Sequence, residues 1–327
     1  MNTQDNQKSI IYILLGMSLF SIQDGLIKFV YNDTSLYELY FGRTFVAFVL
    51  LLIFMWFKKE KLILKTHYPF LTIFRVILFF FGFSFFYISL TFMSLAMANA
   101  LFFSSPFFIS IFAKLFLKEN IGIKRWSAIF VGFIGVYIVL NPDFENFKFV
   151  NLAPVACALC YSASMIILKV TSDKDNVYTQ LSHLYIGAII ISILFYIFAG
   201  DGKFNSFTNP SMQFIFRKWF VNPKEAWPII FFMGCCGALA FALVFNAYNK
   251  GSPSTVSLFE YSLILYSIII GYLIFDESPT TRTLIGASII VLSGIYIYFR
   301  EKVKNNLIVT EKFHEYMYTT ITPDLTI

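Results

Sequence analysis

The sequence predicts an all-α polytopic membrane protein: ten transmembrane helices arranged as two inverted-topology five-helix repeats. Three observations predict it. Of the 327 residues, 58% are hydrophobic and 13% are charged. A soluble domain carries roughly 25% charge, so polar surface is too scarce here to cover a water-soluble particle. Apolar runs of about 18 residues or more recur along the chain, each long enough to cross about 30 Å of hydrocarbon. Finally, two distant segments share one pattern, described below. The 42 Phe accompany abundant Ile, Asn and Lys, which reads as AT-rich coding rather than as an aromatic binding device.

Along the chain, helices are expected near 10–30, 36–57, 68–90, 95–117, 124–141, 152–170, 177–199, 226–248, 253–275 and 281–300. Turn residues separate them, as at Asn32-Asp33, Asp173-Lys174-Asp175 and Lys250-Gly251-Ser252. Pro69, Pro154, Pro228 and Pro253 fall near helix starts, where a missing N–H is harmless. Ile10–Val30 lacks a strongly basic leader and a small-residue cleavage site, so it reads as the first span. Residues 1–9 and 301–327 are then tails, and about 200–225 is a long loop. Within that loop SMQFIFRKWF is expected to form an amphipathic helix on the outer membrane surface.

Charge orients the bundle. KKEKLILKTH (58–67), KENIGIKR (118–125) and the flank REKVK fall on one side, whereas YNDTSLYE, LTFMS and NPDFENFK fall on the other. The positive-inside rule places both termini in the cytoplasm of a bacterial inner membrane. The net charge of +6 therefore belongs to topology and lipid contact, and nucleic acid is not an expected partner. Cys157, Cys160, Cys235 and Cys236 all lie in apolar segments and read as small packing residues, not metal or redox sites. No cofactor is expected.

The shared pattern lies in residues 104–140 and 261–299. Each segment is an apolar helix closed by an acidic turn and followed by a helix ending Gly-(Val/Ile)-Tyr-Ile. Aligning Glu119 with Glu277 sets Gly135-Val136-Tyr137 against Gly294-Ile295-Tyr296, one residue shifted. The unit is five helices, about half the chain, giving halves at 10–141 and 152–300. Five is odd, so the second copy crosses the membrane in the opposite sense. That is the recurring plan of secondary transporters.

With FSIQDGLIKF, YFGRTFVAF, FRVILFFFGF, SLAMANALFFSSPF and LKENIGIKRWSAIFVGFIGVYIV in this order, the chain resembles the drug/metabolite transporter superfamily in its EamA-type branch. NAYNKGSPSTVSLFEYSLILYSIIIGYLIFDE and LIGASIIVLSGIYI continue the resemblance to about residue 300. It implies ten helices, a central cavity and ATP-independent transport of small organic solutes. Within the branch the pattern is most similar to S-adenosylmethionine-uptake-like members, with amino-acid and vitamin carriers nearby.

Ionisable groups inside a span cost about 2.5–3.5 kcal/mol on insertion scales, so they are functional candidates. Glu260 and Arg75 lie at similar depth, about two turns in, and form an expected pair. With Gln23, Asn99, Asn246, Tyr161 and Tyr261 they make up the expected substrate site. Asp24 and Lys28 are four apart on one helix and can pair. With Arg43, His183 and Glu260 they are candidates for proton coupling or gating. Lys114 and Lys169 are expected to snorkel. Pro106, mid-span, is expected to bend its helix, with Ser104 and Ser105 satisfying the freed backbone. The expected function is secondary transport of a small polar metabolite, by a monomer or homodimer. A membrane-embedded transferase and a channel are the rival readings. HExxH, GxSxG and P-loop patterns are absent from the sequence, and His numbers three, which weighs against an enzyme.

Overall fold

The computed structural model describes residues 3–118, 122–140, 149–251, 253–293 and 295–296. The Glu119 turn, the 141–148 loop, Gly294 and the 301–327 tail lie outside them. The described residues form helices α1 (Thr3–Val30), α2 (Leu36–Lys58), α3 (Pro69–Ser89), α4 (Leu95–Phe102) and α5 (Ser105–Phe116). Next come α6 (Ile123–Leu140), α7 (Ala153–Thr171), α8 (Val177–Ala199), α9 (Pro210–Phe216) and α10 (Pro223–Lys250). The series ends with α11 (Pro253–Phe259), α12 (Ser262–Phe275) and α13 (Thr281–Ser293). A 3-10 turn, Phe149–Leu152, leads into α7.

Local chemistry starts these helices. Ser35, Ser94 and Asn176 cap α2, α4 and α8 by accepting from the backbone N–H of Glu38, Met97 and Thr179. Proline occupies the first turn of α3, α5, α7, α9 and α10. Pro228, expected at a helix start, instead lies inside α10, which begins five residues earlier at Pro223.

Among the described residues, seven helical stretches are long and apolar enough to span a bilayer, and three shorter apolar helices accompany them. Trp56, Phe70, Ile197 and Leu273 stand exposed on the outside of the bundle, a surface that suits lipid rather than water. This is a multi-pass membrane protein.

The fourth and ninth spans are not continuous, as the sequence reading took them to be. Each is split near its middle, α4 from α5 at Phe103-Ser104 and α11 from α12 at Glu260-Tyr261. Pro106 therefore sits in the first turn of a new helix instead of bending an old one. The expected repair of the freed backbone is present in altered form. Ser104 Oγ donates to Leu101 O at 2.9 Å, and Ser162 Oγ from α7 donates to Ser105 O at 3.0 Å. The two breaks meet: the Phe103 ring packs on the Tyr261 ring at 5.5 Å. Beyond them, Lys118 and Asp276 both take left-handed φ, 55° and 53°. These positions correspond under the same alignment that matches Glu119 to Glu277.

The long loop is also corrected. α9 does not lie free on a membrane surface. Phe214 is fully buried, Arg217 donates to Tyr31 O and Thr34 O, and Thr91 and Ser211 hydroxyls meet at 2.6 Å. The segment folds over the ends of α1, α2 and α3.

Candidate functional site

Two buried polar clusters flank the helix breaks. The first surrounds Glu260, which is fully buried. Its Oε1 accepts from Tyr161 Oη at 2.6 Å and Tyr248 Oη at 2.5 Å, from α7 and α10. Its Oε2 makes no hydrogen bond, and the Ser105 hydroxyl stands near without completing one.

Arg75 is not its partner. Its Nη2 donates to Gln180 O at 2.8 Å and its guanidinium lies over the Phe245 ring at 5.5 Å. Nε and Nη1 are buried without partners. Equal depth in the membrane fixed the height of Arg75 and Glu260 but not their direction around each helix.

The second cluster is built on α1, α2, α3 and α4. Asp24, 4% exposed, borders the same cavity as Asn99. Asn99 Nδ2 donates to Ser267 Oγ at 2.9 Å, tying α4 to α12. Gln23 Nε2 reaches Tyr87 Oη at 3.5 Å, and Arg43 Nη1 donates to the same oxygen at 2.8 Å. The Arg43 guanidinium also lies over the Tyr40 and Tyr87 rings, at 4.5 and 4.9 Å. The acceptor oxygens Gln23 Oε1 and Asn99 Oδ1 are buried without partners.

Lys28 does not pair with Asp24 one turn away. It forms an ion pair with Glu277 and donates to Met93 O at 2.8 Å, while Glu277 Oε2 accepts from Leu95 N at 3.0 Å. Joining α1, the 90–94 turn and the end of α12, this pair closes one end of the bundle. At the opposite end Asp175 accepts from the Thr66 hydroxyl and, at 3.2 Å, from His67 N.

Small cavities lie between these groups. One is lined by Asp24, Asn99, Phe83, Phe86, Phe102 and Tyr161 among others. Two others both border Arg43, Thr44, Tyr185 and Phe241. An aromatic wall separates them from the first: Phe20 to Phe241 at 4.8 Å, Phe241 to Phe79 at 5.4 Å, Phe79 to Phe83 at 4.8 Å.

Of the residues expected in the site, Asp24, Asn99 and Tyr161 line one cavity, and Gln23 and Arg43 line its neighbours. Tyr261 packs at the break against Phe103. Asn246 is turned onto its own helix, donating to Ala242 O at 2.8 Å. His183 sits apart, with Nε2 2.8 Å from Leu64 O of the 59–68 loop. Lys169 does not snorkel: it donates to Asn249 O and Gly251 O at the end of α10. Tyr248 and Tyr40 were missed and Tyr87 was read as packing, because a single tyrosine in an apolar helix reads that way. The signal for Tyr248 was its place two residues beyond Asn246 in NAYNK.

A helical membrane bundle with internal cavities that a few buried polar side chains border has the build of a solute carrier. The chain belongs to the EamA-like transporter family, whose model matches residues 7–141 and again 148–299. It is similar to the S-adenosylmethionine uptake transporter of Rickettsia felis, 29% identical over 89% of this chain and 92% of the relative. The riboflavin transporter of Vibrio cholerae is also 29% identical, over 61% of this chain and 60% of that one. A solved crystal structure shares the fold with a TM-score of 0.65 at 15% identity, covering 90% of this chain and 96% of the other. The protein is a small-metabolite secondary transporter, not an enzyme.

Proposed function

We propose that the chain carries S-adenosylmethionine, or an amino-acid-like metabolite of similar charge pattern, across the bacterial cytoplasmic membrane by alternating access. The observation that carries this reading is the pairing of charges. A buried carboxylate, Asp24, and a buried guanidinium, Arg43, border adjoining cavities. A substrate bearing both a cationic centre and a carboxylate matches that arrangement. Relatives named for S-adenosylmethionine uptake, covering nearly the whole chain, agree with it.

In this proposal residues 10–141 and 152–300 are inverted halves with both termini cytoplasmic. The double family match supports the halves, as do the breaks and left-handed turns that recur at matching positions. Breaks that meet mid-bundle are the sites at which transporters expose backbone to substrate. Glu260 lies at one break with one oxygen held and one unpartnered, the arrangement of a group that exchanges a proton or a substrate contact.

The test is counterflow. Purified protein in liposomes preloaded with unlabelled S-adenosylmethionine accumulates the labelled compound transiently and saturably. A channel gives no overshoot, and absence of any accumulation removes this substrate. A Glu260→Gln variant is expected to fold and to transport about tenfold more slowly, the scale of one lost charge-assisted contact. Unchanged uptake from about pH 5 to pH 8, the range spanned by perturbed carboxylates and His, would remove Glu260 from the mechanism.

A further inference from the structure

We propose that the 58–65 segment is a docking site for an anionic phospholipid: its apolar centre enters the acyl boundary of the bilayer, and its lysines hold the lipid phosphate. The site lies apart from the internal cavities and stands whether or not the substrate reading holds.

The end of α2 sets the course of the segment. Lys59 takes a left-handed φ of 56°, and Glu60 N donates to Met55 O at 2.9 Å, so the chain turns sharply off the helix. Residues 60–65 form no regular element. His183 Nε2 lies 2.8 Å from Leu64 O. His183 is the seventh residue of α8, about 9 Å along its axis from the first. Thr66 and His67 then return the chain to Asp175, in the turn before α8. The Phe54 and Tyr178 rings, 6.2 Å apart, set the end of α2 beside the start of α8. The segment therefore dips along the flank of α8, from the end of the bundle toward its middle, and comes back.

The dip carries Leu62, Ile63 and Leu64, all exposed, with exposed Trp56 and Phe57 on the adjoining turn of α2. Lys58, Lys59, Lys61 and Lys65 flank the three apolar residues and are exposed too. Among the described residues no ion pair holds any of these four lysines. Lys58 Nζ lies over the Phe54 ring at 5.9 Å, and Glu60 is the one acidic residue of the segment. Three adjacent apolar side chains are disfavoured in water, and extended backbone without partners is disfavoured in hydrocarbon. The boundary of headgroups and acyl chains, about 5–10 Å in, suits both, and it matches the length of the dip. There the lysine stems lie on hydrocarbon while their ammonium groups reach phosphate. A topology signal accounts for the lysines but not for an exposed apolar centre fastened to His183. The opposite end of the bundle is less available to an anion: Arg217 donates to Tyr31 O and Thr34 O, and Lys203 pairs with Asp201 at 3.9 Å.

The test is lipid binding to the purified full chain in detergent, read by native mass spectrometry. Phosphatidylglycerol and phosphatidylcholine with the same acyl chains are compared. Wild type is expected to bind the anionic lipid about tenfold more tightly, and the preference is expected to shrink in about 0.5 M salt. One variant combines Lys58→Gln, Lys59→Asn, Lys61→Gln and Lys65→Gln; Asn accepts the left-handed φ at residue 59. It is expected to lose most of the preference, with lipid-free melting as the check on folding. Lys58→Gln with Lys61→Gln alone is the milder version and is expected to lose about half of the preference on a logarithmic scale, as additive charges do. A variant at the other end, Lys203→Gln with Lys218→Gln and Lys224→Gln, is expected to keep it. Leu62→Ser with Ile63→Ser is expected to weaken both lipids alike. Equal affinities in wild type, a preference that survives loss of the four lysines, or an equal loss in the variant at the other end overturns the site. Unchanged affinities in the serine variant overturn the acyl contact and with it the lipid assignment. Glycerol 1-phosphate competing as well as the lipid would mark a free-phosphate site instead, and polyglutamate doing so would mark a soluble acidic partner; either result overturns the proposal.

Discussion

Glu260 carries the clearest residue-scale consequence. Tyr161 and Tyr248 converge on a single oxygen, and both tyrosines are buried. Removing Tyr248 Oη leaves a buried carboxylate with one donor fewer. Tyr248→Phe is therefore expected to destabilise the protein by about 1.5–3 kcal/mol, the range for bonds to charged groups. Thermal unfolding in detergent checks it, and an unchanged melting temperature would show that the bond contributes nothing net. The sequence marked Glu260, Asp24, Arg43 and Asn99 because polar groups in apolar helices stand out. It could not assign their partners. Four-residue spacing allowed Asp24 to meet Lys28, yet Glu277, remote in sequence, is where Lys28 goes. Such choices depend on how helices rotate against one another, which periodicity does not encode.

At the scale of elements, close helix contacts rest on glycine. A Cβ on Gly286 would stand 2.6 Å from Gly135 O and 2.5 Å from Val139 Cγ2; one on Gly135 would stand 2.8 Å from Gly286 O. α6 and α13 thus touch backbone to backbone, the approach that small residues permit in membranes. Gly286→Val has to separate the two helices, at an expected cost of about 1–3 kcal/mol. A variant that melts and transports like wild type would mean that the contact is not needed. The sequence reading did not anticipate the splits in the fourth and ninth spans, since Glu260 looked like an interruption of composition rather than of backbone. The Asp175 turn gives a prediction with a sign. Burial opposes its ionisation, but hydrogen bonds from the Thr66 hydroxyl and from the His67 backbone and ring, with the His67 charge, hold its carboxyl below the ordinary range. A depressed native pKa contributes stability above the unfolded value, about 3.9, and that stability is lost as pH falls through the native pKa. Asp175→Asn should therefore lower the melting temperature at pH 7, and the gap to wild type should close as pH drops below about 4. A gap of constant size across that range would assign the effect to packing.

Over the whole molecule, the latches define which motions transport requires. One end is closed by Lys28–Glu277 and by the 200–222 segment folded over α1, α2 and α3. The other is closed by Asp175 on the 59–68 loop and by Lys169 on the last carbonyls of α10. In the proposed alternating access each latch releases in turn. The multi-pass helical architecture and the family were legible in the sequence because hydropathy and motif order survive without coordinates. The closing role of the long loop was not, because its contacts join residues more than a hundred positions apart. If the loop is a moving lid, tethering it should stop transport. Thr91 and Ser211 hydroxyls are 2.6 Å apart, close enough for cysteines there to bridge after slight adjustment. Thr91→Cys with Ser211→Cys is expected to lose most uptake under oxidising conditions and to regain it with reductant, while each single variant transports throughout. The four native cysteines are buried or half-buried and unpaired, so the single variants control for their side reactions. A cross-linked double variant with normal uptake would show that α9 and the end of α3 travel together, and the opening would then have to occur between α1 and α12, at Lys28 and Glu277.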